Sequence, residues 1–187
     1  MSEQISWYLA RAGGLVAWSA LAASAILGLV LAGKLIPRRN GPWVQEVHQY
    51  LGGLATTFTA IHLAALVADN YVYFGWKELF LPFASEWEPW SVAAGIVAFY
   101  ALVAVEVTSL ARRHLPRRLW KGVHHLSLPL FGFSTLHGFM AGEDASGNVY
   151  MAVTLGVCAA VGLTAMARHA FKPRGRRYRR MIRPTAG

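Results

Sequence analysis

A single cysteine, Cys158, stands among 187 residues, inside an apolar run. One thiol forms no intramolecular disulfide and builds no cysteine-rich metal or iron–sulfur site. Charge is scarce too: 14% of the residues are Asp, Glu, Lys or Arg, against 55% hydrophobic. A soluble domain usually carries about 25% charged residues. The deficit argues against disorder and against an ordinary soluble enzyme. Acid is scarcer than base, with 9 Asp and Glu against 18 Lys and Arg, giving a net charge of +9. A chain both apolar and basic reads as a membrane protein with basic loops. Nucleic-acid binding would need the basic residues on one folded soluble surface, and apolar blocks separate them here.

Five stretches have the roughly 20 mostly apolar residues that a spanning helix needs: Trp7–Leu31, Trp43–Ala68, Trp90–Leu110, Leu119–Met140 and Val149–Ala170. The first lacks a basic leader and is longer than the roughly 7–15 apolar residues of a signal peptide. Pro42, Pro89 and Pro116 sit at or just before span starts, where a missing N–H does no harm. Pro173 follows the last span, and Trp7, Trp43, Trp90 and Trp120 mark ends, where indole rings favour the headgroup region. The expected fold is an all-α integral membrane bundle of about five helices spanning residues 1–171, followed by a basic tail at 172–187.

Orientation follows from the cations. Lys34, Arg38 and Arg39 lie in the first loop, and Arg112, Arg113, Arg117, Arg118 and Lys121 in the third. Arg168, Lys172, Arg174, Arg176, Arg177, Arg179, Arg180 and Arg183 lie at the end of the last span and in the tail. If the spans alternate, only Arg11 and Lys77 fall opposite. The positive-inside rule then places the N-terminus outside and the tail in the cytoplasm, as in a multi-pass protein of the inner (plasma) membrane. The tail arginines are expected to meet anionic lipid. The second and fourth loops face outside and carry Asp69, Glu78, Glu86, Glu88, Glu143 and Asp144. Trp76, Phe80, Phe83 and Trp87 predict that the long second loop lies on the outer interface.

Ionisable side chains inside spans are costly, so each is a functional hypothesis by default. Of the seven histidines, His114 falls in a basic loop and His169 at a helix end, where a cation suits the dipole. The other five occupy only two spans: His48 and His62 in the second, His124, His125 and His137 in the fourth. Both spans run from cytoplasm to outside. The 14-residue step on one is about 21 Å of helix, and the 13-residue step on the other about 20 Å. An inner level thus sets His48 against His124 or His125, and an outer level sets His62 against His137. Two imidazoles at each level suit the two faces of an iron porphyrin, so two levels predict two stacked b-type hemes.

Helical phase qualifies this. At about 100° per residue, 14 residues return to within about 40° of the same face, whereas 13 fall about 140° out and 12 about 120° out. Pro129 lies between the levels of the fourth span and is expected to kink or rephase it. Geometry alone leaves His124 and His125 as alternatives. Zinc is the main metal competitor, but it wants about four ligands at one point, and these histidines are spread over two depths.

Smaller signals stand beside ordinary explanations. Gly52, one turn after His48, with Gly53, Gly132 and Gly138, would admit a flat macrocycle; close helix packing in lipid favours glycine equally. Phe58 and Phe131 lie midway between levels, as core packing or as filling between hemes. Arg11 pairs with a heme propionate or snorkels to the headgroups. Glu106 pairs with Arg112 or Arg113, or relays a proton.

At these residues the chain resembles the ferric reductase-like transmembrane domain family, which includes the membrane parts of NADPH oxidases and ferric reductases and the heme subunit of the bacterial methionine sulfoxide reductase system. The matching stretches are VHQYLGGLATTFTAIHLAALVADNYVYFG (Val47–Gly75) and RRLWKGVHHLSLPLFGFSTLHGFMAG (Arg117–Gly142), with AVEVTSLARRHLPRRLW also similar. The resemblance implies axial ligation of heme iron by His48, His62, His124 and His137, favouring His124 over His125. It implies electron flow from the cytoplasmic side through an inner and then an outer heme to an external acceptor. The tail ends at Gly187 with no Gly-rich dinucleotide fingerprint, so the expected donor is a separate flavoprotein reductase or membrane quinol, with flavin or quinone supplied by that partner. Rival expectations are a non-redox heme or metal carrier and a purely structural subunit.

Overall fold

The computed structural model describes residues 2–68, 74–142 and 147–170. Asp69, Glu143, Asp144, Pro173 and the basic tail at 172–187 therefore lie outside the described residues. The described chain is helical: α1 (Ser2–Gly33), α2 (Gly41–Ala68), α3 (Trp76–Phe80), α4 (Pro89–Leu110), α5 (Arg117–His124), α6 (Ser127–Ala141) and α7 (Asn148–Ala170), with a 3-10 turn at Arg38–Asn40. Lipid offers no partner for a bare N–H or C=O, so an apolar run closes its own backbone bonds as helix. Among the described residues, four stretches are long and apolar enough to cross a membrane: Ile5–Gly33, Arg38–Ala68, Pro89–Leu110 and Asn148–Ala170.

The remaining predicted span, Leu119–Met140, is instead two helices, α5 and α6, broken at His125–Leu126. The sequence places the disturbance at Pro129, and the structure shows why it falls earlier. Proline at 129 has no N–H for the carbonyl of His125, four residues back. That carbonyl receives only Leu128 N, at 3.5 Å, and Leu126 N turns to Val123 O at 2.9 Å. Regular pairing resumes with Leu130 N to Leu126 O at 2.8 Å.

α1 packs along α2, α4 packs against α6, and α1 also meets α6 and α7, while α2 and α4 touch only lightly. Small buried residues on α1 (Ala10, Ala17, Ala20, Ala22 and Ala25) allow this close approach. Ala22, Leu29, Phe131 and Val161 join α1, α6 and α7 in one core. Ala98, Leu102 and Leu130 join α4 to α6 in another. A third, of Phe74, Leu79, Val92 and Ile96, ties the second loop to α4. The Tyr100 hydroxyl donates to Phe80 O at 2.8 Å, so this loop is docked while Trp76 and Phe83 stay exposed.

The end of α1 is closed by Lys34 in the left-handed region, φ 55°, with Leu35 N bonding Val30 O at 3.1 Å. A side chain there opposes the backbone by about 1–2 kcal/mol. Lys34→Gly is expected to stabilise the purified protein by about 1 kcal/mol, read as a higher thermal midpoint. An unchanged or lower midpoint would contradict the strain at this turn.

Candidate functional site

The histidines meet in two pairs. The His48 and His124 ring centroids are 6.0 Å apart with planes at 82°. Those of His62 and His137 are 6.2 Å apart at 76°. The α5–α6 break resolves the phase conflict, because it lets both members of a 13-residue step turn toward α2. His125, the alternative to His124, is exposed and bonds back to Lys121 O of its own helix. His114 and His169 are also exposed and join neither pair.

Three of the four paired rings are held from behind. His62 Nδ1 donates to Ala10 O at 2.6 Å, His48 Nδ1 to Ser24 O at 2.9 Å, and His137 Nδ1 to Ser91 O at 2.9 Å. A carbonyl only accepts, so the proton sits on Nδ1 and the lone pair on Nε2. This is the tautomer that ligates metal through Nε2, with its second nitrogen fixing ring orientation. His124 differs: its Nδ1 has only the Ser109 hydroxyl, at 3.4 Å.

Four residues after each accepting residue comes a glycine under the ring. A Cβ on Gly14 would meet His62 Nδ1 at 3.2 Å, one on Gly28 would meet His48 Cε1 at 3.1 Å, and one on Gly95 would meet His137 Nδ1 at 2.8 Å. One helical turn thus supplies both the carbonyl and the room for the imidazole. Sequence reasoning missed these three glycines. Their signal was present: Gly14 and Gly28 are spaced by 14, as are His48 and His62. The glycines it did single out behave otherwise. Gly53 and Gly132 face open space, Gly138 lies against the Tyr150 hydroxyl, and a Cβ on Gly52 would meet only Glu106 Oε2, at 3.6 Å.

A cavity of about 480 Å³ opens beside the outer pair, lined by His62, His137, Gly14, Gly95, Arg11 and Trp18 among others. That is within the range of cofactor sites, about 300–1,000 Å³. Arg11 lies over the Trp7 ring, 4.9 Å from its centroid, and lines this cavity. Phe131 is buried between the levels and stacks on Trp18 at 6.2 Å. Trp18 Nε1 donates to Thr135 Oγ1 at 2.9 Å. Among the described residues, the expected ion pair of Glu106 with Arg112 or Arg113 is absent. Glu106 faces Gly52 on α2, while both arginines sit exposed beyond the end of α4.

The ring spacing fits a two-ligand metal. Metal–imidazole bonds of about 2.0–2.1 Å, with about 1.1 Å from each nitrogen to its ring centre, put the centroids about 6.3 Å apart. Among the described residues, no group of three or more His, Cys, Asp or Glu side chains converges, so a four-ligand zinc site has no donor set. An iron porphyrin brings four nitrogens of its own and asks the protein for two. The two pairs match that demand.

Gly95→Ala is expected to press on His137 and cost about 1–3 kcal/mol by overpacking, lowering the thermal midpoint. Gly52→Ala, with space to spare, is expected to leave it unchanged or higher. Equal behaviour of the two variants would contradict the role given to Gly95.

The family described as ferric reductase like transmembrane component matches residues 13–135. That stretch holds His48, His62 and His124 and ends two residues before His137. Neither curated proteins nor solved structures gave a match. With the match covering more than half of the chain, this multi-pass, all-helical membrane protein belongs to the ferric reductase-like transmembrane family.

Proposed function

We propose that the chain is a diheme b-type cytochrome that carries electrons across the membrane. One observation carries the reading: two imidazole pairs, 6.0 and 6.2 Å between centroids, stand one after the other along α2, the first facing α5 and the second α6. His48 and His124 would hold the inner heme, His62 and His137 the outer one. Family membership supports a membrane redox role.

Heme iron, when bound, supplies a reversible one-electron couple whose potential follows its axial ligands. The chain supplies the rest. Carbonyls of Ala10, Ser24 and Ser91 keep Nδ1 protonated and Nε2 free. Gly14, Gly28 and Gly95 let the rings seat against neighbouring helices. Leu21, Leu102 and Leu130 line the outer cavity and give it an apolar wall. Arg11 is suited to an outer propionate, since it lines the same cavity as His62.

In this reading the N-terminus is outside, and the basic loops after α1 and α4 face the cytoplasm, as in a multi-pass protein of the inner (plasma) membrane. The donor is a cytoplasmic flavoprotein or membrane quinol, and the acceptor is an external redox partner. The described residues end at Ala170, and membrane lipid covers exposed apolar side chains such as Leu110, Val149 and Leu163.

His62→Ala tests the assignment. The outer heme is expected to be lost first, halving the heme per chain in the reduced spectrum and stopping delivery to external acceptors. Full heme content with full transfer in that variant would refute it.

A further inference from the structure

His124 is the exception among the four paired histidines, and its neighbour explains what replaces the missing carbonyl. The Trp120 indole stacks on the His124 ring, with centroids 5.3 Å apart and planes at 28°. Its Nε1 is buried and has no hydrogen-bond acceptor among the described residues. An indole N–H is a donor only, and buried donors are almost always satisfied. The other tryptophan beside the histidine levels, Trp18, has its N–H bonded to Thr135. Trp120 therefore combines a stack on a candidate ligand with a donor awaiting an acceptor.

The surroundings state the charge of that acceptor. Trp120 sits on α5 between Arg117, Arg118 and Lys121, all exposed, and this end of the helix follows the basic turn of Arg112 and Arg113. A buried N–H in a field of cations suits an anionic oxygen. Two sources have that chemistry: a carboxylate arm of a porphyrin held by His48 and His124, and a lipid phosphate.

We propose that Trp120 is the positioning residue of the inner site, stacking to orient His124 and donating its N–H to a porphyrin carboxylate. The proposal rests on the diheme reading. It also makes the two sites unequal in construction. Both outer imidazoles are held by carbonyls, whereas the inner site uses one carbonyl and one indole.

The test uses the purified full-length chain in a His62→Ala background, which keeps only the inner pair. Trp120→Phe retains a stacking ring and removes the donor, whereas Trp120→Leu removes both. With Trp120→Phe we expect binding of iron protoporphyrin to weaken about tenfold, as for loss of one charge-assisted hydrogen bond. Binding of its dimethyl ester, whose arms carry no charge, should not weaken. The midpoint potential of the bound heme should fall, because a bonded carboxylate raises it by withdrawing negative charge from the iron. With Trp120→Leu, the low-spin ferric signal in electron paramagnetic resonance should shift or give way to high spin as His124 loses its orientation. A Trp120→Phe variant that matches its parent in affinity for both porphyrins and in midpoint would overturn the carboxylate contact and leave lipid phosphate as the acceptor. A Trp120→Leu variant with an unaltered low-spin signal would overturn the stacking role. Parent protein that binds neither porphyrin would overturn the diheme reading and this proposal together.

Discussion

An imidazole inside a lipid-facing bundle must satisfy two nitrogens, and the structure solves that demand with one repeated device. A helix carbonyl accepts from Nδ1, and a glycine one turn later gives the ring its berth. Ala10 with Gly14, Ser24 with Gly28, and Ser91 with Gly95 perform this for His62, His48 and His137. An unpaired polar group buried in hydrocarbon is costly, and the carbonyl removes that cost at Nδ1. With Nδ1 engaged, Nε2 is left as the nitrogen free to ligate. For His48, His62 and His137, tautomer and ring direction thus rest on helices α1 and α4, which contribute none of the four histidines.

This division of labour explains the packing. α1 carries small residues because it must lie close enough to α2 for its carbonyls to reach His48 and His62. α4 stands in the same relation to α6, where Gly95 meets His137. α2 and α4 touch each other only lightly, which leaves room beside the outer pair for the cavity lined by His62 and His137. Between the levels, Phe131 and Trp18 fill the bundle, the latter fixed by Thr135.

Much of this was legible in the sequence because lipid makes composition decisive. Apolar length located the spans, and histidine spacing located the two levels. The broken span was only half legible. Pro129 announced a disturbance, but the break falls at His125–Leu126, because a proline is felt at the carbonyl four residues before it. The choice between His124 and His125 needed the break itself, which turns one ring inward and leaves the other exposed. The glycines that seat the imidazoles were not among those the sequence singled out. Gly52 shares a face with His48, and one-helix periodicity finds such residues. Gly14, Gly28 and Gly95 act across an interface, and only the matching 14-residue spacing of two separate spans hinted at them. The pairing of Glu106 with nearby arginines failed for a similar reason: sequence proximity does not say which way a helix faces.

The central claim is that each imidazole pair receives one iron porphyrin. Heme per chain, determined on protein purified after expression with ample heme and combined with low-temperature electron paramagnetic resonance, tests it most directly. The account predicts two b-type hemes per chain, both six-coordinate and low-spin when oxidised. Colourless protein, or heme held only in five-coordinate high-spin form, would contradict it.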